Sequence, residues 1–223
     1  MTAAPAAVAV RAVLFDLDGT LADTAPDLGH VLNLQRKSRG LEALPLETLR
    51  PVVSQGARGL LRLGFGLSPG NEAYEPMREE FLALYARDLC VHSRLFEGIP
   101  DLLAALEARG IAWGIVTNKL DRYTRPLVEA LGILQRAGCV ISGDTCARAK
   151  PHPDPLLEAA RQLDLAPSLC LYVGDDERDV LAGLAAGMTP VVALYGYLGD
   201  GNHPRDWGAR HMIDYPAQVL HLL

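Results

Sequence analysis

Short apolar runs of strand length recur along this chain, and segments of helical length separate them. Residues 11–15, 111–116, 169–173 and 190–194 are each too short for a helix and are bounded by turn-forming residues. Cys139-Val140-Ile141 reads as a shorter strand, and Met212-Ile213 as a last one. Amphipathic helices are predicted between them: from Pro100 to a glycine stop at Gly110, from Asp121 as the cap to Leu131-Gly132, over 156–163, and up to Ala186-Gly187. Strands that alternate with helices of about ten residues imply a parallel sheet covered on both faces. The fold class is therefore α/β, with a Rossmann-like parallel core.

One interval breaks this rhythm. Residues 26–93 carry no strand signal and read as helical throughout. Leu28, Val31, Leu32 and Gln35 share one helical face. A second helix opens with Leu46, Leu49, Val52 and Val53 and runs to the Gly64-Phe65-Gly66 region, and Met77, Phe81, Leu84 and Tyr85 mark a third. The interval is too long for a single crossover. It predicts a small α-helical domain over 26–93, inserted into a core made of 1–25 and 94–223.

Composition narrows the function classes. Hydrophobic residues make up 49% of the 223, enough for a packed core, and the formal net charge is 21 − 27 = −6. An acidic chain without a block of Lys and Arg is a poor partner for nucleic acid or an anionic membrane. No apolar run approaches the roughly 20 residues of a membrane span. The cysteines at 90, 139, 146 and 170 form no C-x-x-C pair and read as reduced thiols of a cytoplasmic protein. Neither G-x-G-x-x-G after a strand nor G-x-x-x-x-G-K-[ST] occurs, which argues against dinucleotide binding and a P-loop.

The chemistry gathers at the strand ends. The first strand is followed by Asp16-Leu17-Asp18-Gly19-Thr20, with two carboxylates at i and i+2. Anions this close repel, and one holds a proton unless a cation neutralises them. The second strand ends at Thr117 and Asn118, Lys150 follows the third, and Asp175, Asp176 and Asp179 follow the fourth. In a parallel sheet the carboxyl ends of all strands face one edge, where ligands bind. Clustered carboxylates suit Mg²⁺. Lys150 offers positive charge to a phosphoryl group, and the Thr117 hydroxyl and nearby N–H groups can donate to its oxygens. One Asp of the first pair can attack phosphorus while the other moves a proton. Each residue alone has a plainer reading, as a turn, a helix cap or a solvated face. Their joint placement is what points to phosphoryl transfer.

Four segments in this order resemble the motifs of the haloacid dehalogenase-like hydrolases. They are Asp16-Leu17-Asp18-Gly19-Thr20, Thr117-Asn118, Lys150-Pro151 and Gly174-Asp175-Asp176-Glu177-Arg178-Asp179. The helical insertion resembles the small cap of that family. Within it, the stretch 91–98, the stretch 113–119, Tyr195-Gly196-Tyr197 and Trp207-Gly208-Ala209 are similar to the phosphoglycolate phosphatase branch, especially bacterial N-acetylmuramic acid 6-phosphate phosphatases.

The resemblance implies that Asp16 is the nucleophile and Asp18 the general acid and base. Mg²⁺ is expected on Asp16, Asp18 through its carbonyl, and Asp175, with Asp176 or Asp179 acting directly or through water. Thr117, Asn118 and Lys150 are expected to bind the phosphate. Specificity belongs to the cap, and Gln55, Gly56 and Arg58 are the candidates, with Arg58 placed to pair with a substrate carboxylate. The expected partner is a small, carboxylated phosphorylated metabolite, and the expected state a monomer or homodimer. Three other readings stay open: a phosphosugar mutase on the same core, a phospho-receiver signalling domain, and an inactive binding protein.

Overall fold

The computed structural model describes residues 10–199, 201 and 203–223. The chain begins with β1 (Ala12–Phe15) and β2 (Ala22–Asp23), then four helices: α1 (Ala25–Ser38), α2 (Leu46–Val53), α3 (Gly56–Phe65) and α4 (Tyr74–Arg87). After β3 (Arg94–Leu95) come α5 (Ile99–Ala108), β4 (Ala112–Val116), α6 (Asp121–Ala130), β5 (Val140–Ile141) and α7 (Asp154–Gln162). The last elements are β6 (Cys170–Gly174), α8 (Glu177–Ala185), β7 (Thr189–Ala193), β8 (His211–Ile213) and a 3₁₀ turn at Pro216–Leu222.

Six strands form one sheet in the order β5-β4-β1-β6-β7-β8, and every pairing in it is parallel. Side chains alternate across the pleat. Val13 and Phe15 of β1 share a cluster with Leu103 and Leu106 of α5 and Leu127 of α6. Ala12 and Leu14 enter the opposite cluster with Leu156 and Ala159 of α7 and Ala182 of α8. Both faces of β1 are thus dry, which is why it reads as a continuous apolar run. Burying a side chain such as Phe15 or Leu14 contributes roughly 1.5–3 kcal/mol each.

The helical interval differs in detail from the sequence expectation. The predicted second helix is two helices, because Gly56 takes φ +61, outside the right-handed helical region. Segment 54–56 is thereby bent into a corner between α2 and α3. Leu32, Leu49, Leu60, Leu61 and Phe81 pack the four helices around one apolar cluster, which Tyr123 and Tyr197 join from outside the interval. The strands β2 and β3, which flank the helices, pair antiparallel with each other. Each holds one apolar and one charged residue, too little to mark a strand in the sequence. Asp121 is not the cap of α6 but its first residue, after Leu120, and its carboxylate instead accepts from Arg125 and Ser142.

Candidate active site

β1 delivers Asp16 to the carboxyl edge of the sheet, where its N–H donates to Val173 of β6 at 2.9 Å. Thr117 follows β4 and Asp175 follows β6, both buried. One turn into α8, Asp179 points back toward the same place. Ligand oxygens of Asp16, Asp175 and Asp179 lie within 4.8 Å of one another, and all three residues are buried.

Lys150 enters this group from the loop after β5. Its Nζ lies 2.9 Å from Asp16 Oδ1 and 2.7 Å from Asp179 Oδ1. It also donates to the Val116 carbonyl at 3.1 Å and to the Tyr172 hydroxyl at 2.7 Å. The side chain of Asn118 is occupied elsewhere. Its amide donates to the Lys150 carbonyl at 2.9 Å and its oxygen accepts from the Lys150 N–H at 3.0 Å. Asn118 therefore fixes the lysine loop by both ends of its amide. Thr117 Oγ1 accepts from the N–H of Lys119 at 3.2 Å.

Asp175 accepts from Thr20 Oγ1 at 3.0 Å, from the N–H of Tyr197 at 2.8 Å and from Ser54 Oγ at 3.3 Å. The Tyr197 contact requires close approach of the 195–197 loop. A Cβ on Gly196 would stand 2.3 Å from Asp175 Cβ and 2.5 Å from the Gly19 carbonyl. Ser54 lies at the corner made by Gly56, so the helical interval reaches the acidic cluster directly. Arg178 Nη2 donates to the Ser54 carbonyl at 2.8 Å and strengthens that contact.

Asp176 is not brought into the cluster. Its carboxylate caps α8 and accepts from Arg178 through the backbone N–H, Nε and Nη2 at 2.8–2.9 Å. The side chain of Asp18 has partners of its own. Asp18 accepts from Lys119 Nζ at 3.0 and 3.2 Å and from Thr24 Oγ1. Two cations thus divide the first motif between them, Lys150 at Asp16 and Lys119 at Asp18. The sequence offered Lys119 only as part of a longer similar stretch. Its signal was position, one residue beyond Thr117-Asn118 at a strand end.

The electrostatics describe a site with an excess of negative charge. Burial is the largest influence on Asp16; Lys150 pulls against it, while Asp179 and Asp18 add repulsion, and the carboxyl is pushed up to about 6. Asp175 is driven well above the usual carboxylate range by burial and by repulsion from Asp16 and Asp179. Burial works against the Lys119 ammonium, but Asp18 and Tyr85 outweigh it, and its pKa rises. Lys150 rises in the same way, through Asp16 and Asp179. No hydrogen-bond donor is aligned on Asp16 Oδ1, although the Lys150 charge lies beside it. Three buried carboxylates with one ammonium among them form an oxygen donor set with a charge deficit, and a hard divalent cation fits it.

A cavity of about 300 Å³ opens from this edge toward α4. Asp16, Asp18, Thr117 and Lys150 line its floor, and Leu28, Val53, Phe81, Tyr85 and Tyr123 its apolar wall. Gln55, Gly56 and Arg58 line it too, but Arg58 is exposed whereas the side chain of Lys119, on the same cavity, is only 8% exposed. Among the described residues, no helix is long and apolar enough to cross a membrane.

A parallel α/β sheet with carboxylates, a lysine and a threonine converging at its carboxyl edge defines an enzyme class that handles anionic groups. The chain belongs to the haloacid dehalogenase-like hydrolase family, whose model matches residues 13–193. It is 42% identical over 214 residues to the N-acetylmuramic acid 6-phosphate phosphatase of Pseudomonas aeruginosa, covering 96% of this chain and 95% of that one. It is 47% identical over 210 residues to the phosphoglycolate phosphatase of Xanthomonas campestris pv. campestris, with 94% of each covered. Among solved structures, that of a predicted phosphoglycolate phosphatase from Haemophilus somnus superposes with a TM-score of 0.83 at 27% identity, covering 96% of this chain and 97% of that one.

Proposed function

We propose that this enzyme hydrolyses a small phosphomonoester through an aspartyl-phosphate intermediate on Asp16. The observation that carries this reading is the division of charge between Asp16 and Asp18. Asp16 lies against Lys150 with one oxygen lacking an aligned donor, and Asp18 stands two residues on with its own cation. One carboxylate is thus set to attack, and the other to move a proton.

In the first step Asp16 attacks phosphorus in line and the ester bond breaks. Asp18 protonates the departing oxygen. In the second step water attacks the acyl phosphate, Asp18 takes its proton, and phosphate leaves with Asp16 regenerated. Lys150 and the Thr117 hydroxyl hold the phosphoryl oxygens. Asp16, Asp175 and Asp179 would hold Mg²⁺, which supplies positive charge to the transferring group. Residues 26–93 act as a cap on a core of 1–25 and 94–223, and the Ser54 corner brings that cap to the cluster.

Candidate substrates are N-acetylmuramic acid 6-phosphate and 2-phosphoglycolate, in keeping with the similar enzymes from Pseudomonas and Xanthomonas. The test is phosphate release from a panel of esters containing both, with and without Mg²⁺, for the wild type and Asp16→Asn. Mg²⁺-dependent release that is lost in Asp16→Asn is expected. Release that survives the substitution removes Asp16 as the nucleophile.

A further inference from the structure

Tyr85 of α4 is buried, and its hydroxyl proton has no acceptor: the group beside the phenol is the Lys119 ammonium, which can only donate to its oxygen. Its ring lies tilted against that of Tyr123 with centroids 5.7 Å apart, and Lys119 Nζ lies 4.8 Å from the ring centroid. The same lysine holds Asp18 at 3.0 Å. Tyr85 is therefore one side chain removed from the carboxylate that serves the leaving oxygen, and it lines the cavity above it. A buried O–H without an acceptor is a standing cost to stability, and native structures seldom keep one without a use. Phenylalanine would fill the same space and keep the ring contact.

The cavity also says what such a hydroxyl could meet. At about 300 Å³ it is within the range that houses compact organic ligands. A two-carbon acid held by its phosphate at Lys150 would leave the aromatic wall of Phe81, Tyr85 and Tyr123 uncovered. A pyranose-sized leaving group would lie against that wall with its polar groups near Tyr85 and Lys119.

We propose that Tyr85 is a specificity-determining residue that hydrogen-bonds a hydroxyl or carbonyl oxygen on the leaving group, and that the preferred substrate is a sugar-sized, polyhydroxylated phosphomonoester. The proposal rests on the phosphatase reading above and adds to it the side of the cavity that selects the substrate. It moves the weight of selection from Gln55, Gly56 and Arg58 at the corner to α4.

The test compares wild type and Tyr85→Phe on two esters, N-acetylmuramic acid 6-phosphate and p-nitrophenyl phosphate, whose leaving group carries no hydroxyl substituent. The ratio of kcat/KM for the sugar ester to that for the aryl ester is expected to fall roughly 10-fold to 100-fold, as for loss of one buried hydrogen bond. The Tm of Tyr85→Phe is expected to stay near that of the wild type, since the O–H without an acceptor and the phenol's favourable contact with Lys119 are removed together. A ratio unchanged within about twofold, or a lowered Tm with equal losses on both esters, overturns the proposal. A wild type that cleaves the aryl ester and no sugar phosphate also overturns it and leaves the phosphatase reading standing. A wild type that cleaves neither, with Mg²⁺ present, removes that reading itself.

Discussion

Lys119 Nζ lies 3.0 Å from Asp18 Oδ1 and 3.2 Å from Oδ2, with both side chains largely shielded from water. Removing one partner of such a pair leaves a buried charge without compensation, which typically costs 3–5 kcal/mol when burial is complete. Asp18 keeps some access to solvent, so a loss nearer 3 kcal/mol is expected for Lys119→Met, together with lower turnover. Thermal melts and phosphate release measure the two effects. A variant with unchanged Tm and unchanged kcat/KM would show that the pair is idle.

Asp16→Asn is expected to reduce turnover by about a thousandfold or more, the scale seen when a nucleophile is removed. It should not weaken the metal-free fold. Burial, joined by repulsion from Asp179 and Asp18, raises the Asp16 pKa to about 6, so a neutral amide relieves both costs while Lys150 keeps its contact with Asp179 at 2.7 Å. Circular dichroism and a melt in EDTA, alongside the activity assay, distinguish lost chemistry from lost structure. A large fall in Tm would mean that Asp16 is a structural anchor.

The strands that carry the site were legible because both their faces are buried. Leu14 and Phe15 point to opposite clusters, so no polar residue interrupts the run. The placement of Asp16, Thr117, Lys150 and Asp175 at one edge then follows from topology. What sequence could not supply was the use of each carboxylate. Asp176 and Asp179 lie three residues apart and look alike in the chain, yet one caps α8 against Arg178 and the other faces Lys150. Tyr85 read only as one member of an apolar helical face. Its hydroxyl proton without an acceptor, and its approach to Lys119 from 34 positions away in the chain, exist only once α4 is laid over the sheet edge.

Tyr197, marked in the sequence only as part of a similar stretch, holds the start of α1. Its hydroxyl accepts from the N–H groups of Thr24 and Ala25 at 2.8 and 2.9 Å and lies 2.9 Å from Asp23 Oδ1. Thr24, the residue before α1, makes no side-chain cap, and its hydroxyl donates to Asp18. Tyr197 supplies the missing acceptor from a distant loop. Tyr197→Phe would strand these donors at a buried helix start, at a cost of about 1–3 kcal/mol, or roughly 2–10 °C in Tm for a chain of this size. An unchanged Tm would mean that water replaces the phenol there.

The acidic cluster fixes how metal binding should depend on pH. In the metal-free fold burial and mutual repulsion raise Asp16 to about 6 and Asp175 well above the carboxylate range, whereas in the unfolded chain both titrate near their ordinary value of about 4. Between those values the folded state binds more protons than the unfolded state. Stability without metal therefore falls as pH rises from about 4 through 6. A bound cation holds the carboxylates ionised and removes this penalty. At a hundredfold excess over Kd it adds about 2.7 kcal/mol, or roughly 5–10 °C. The rise in Tm between EDTA and MgCl₂ is expected to be small at pH 5 and to grow toward pH 7.5. Titrations elsewhere in the chain cancel in that difference. A Mg²⁺ shift of equal size across the range would mean that Asp16 and Asp175 stay ionised in the fold without a cation, and that the charge deficit is met by the protein alone.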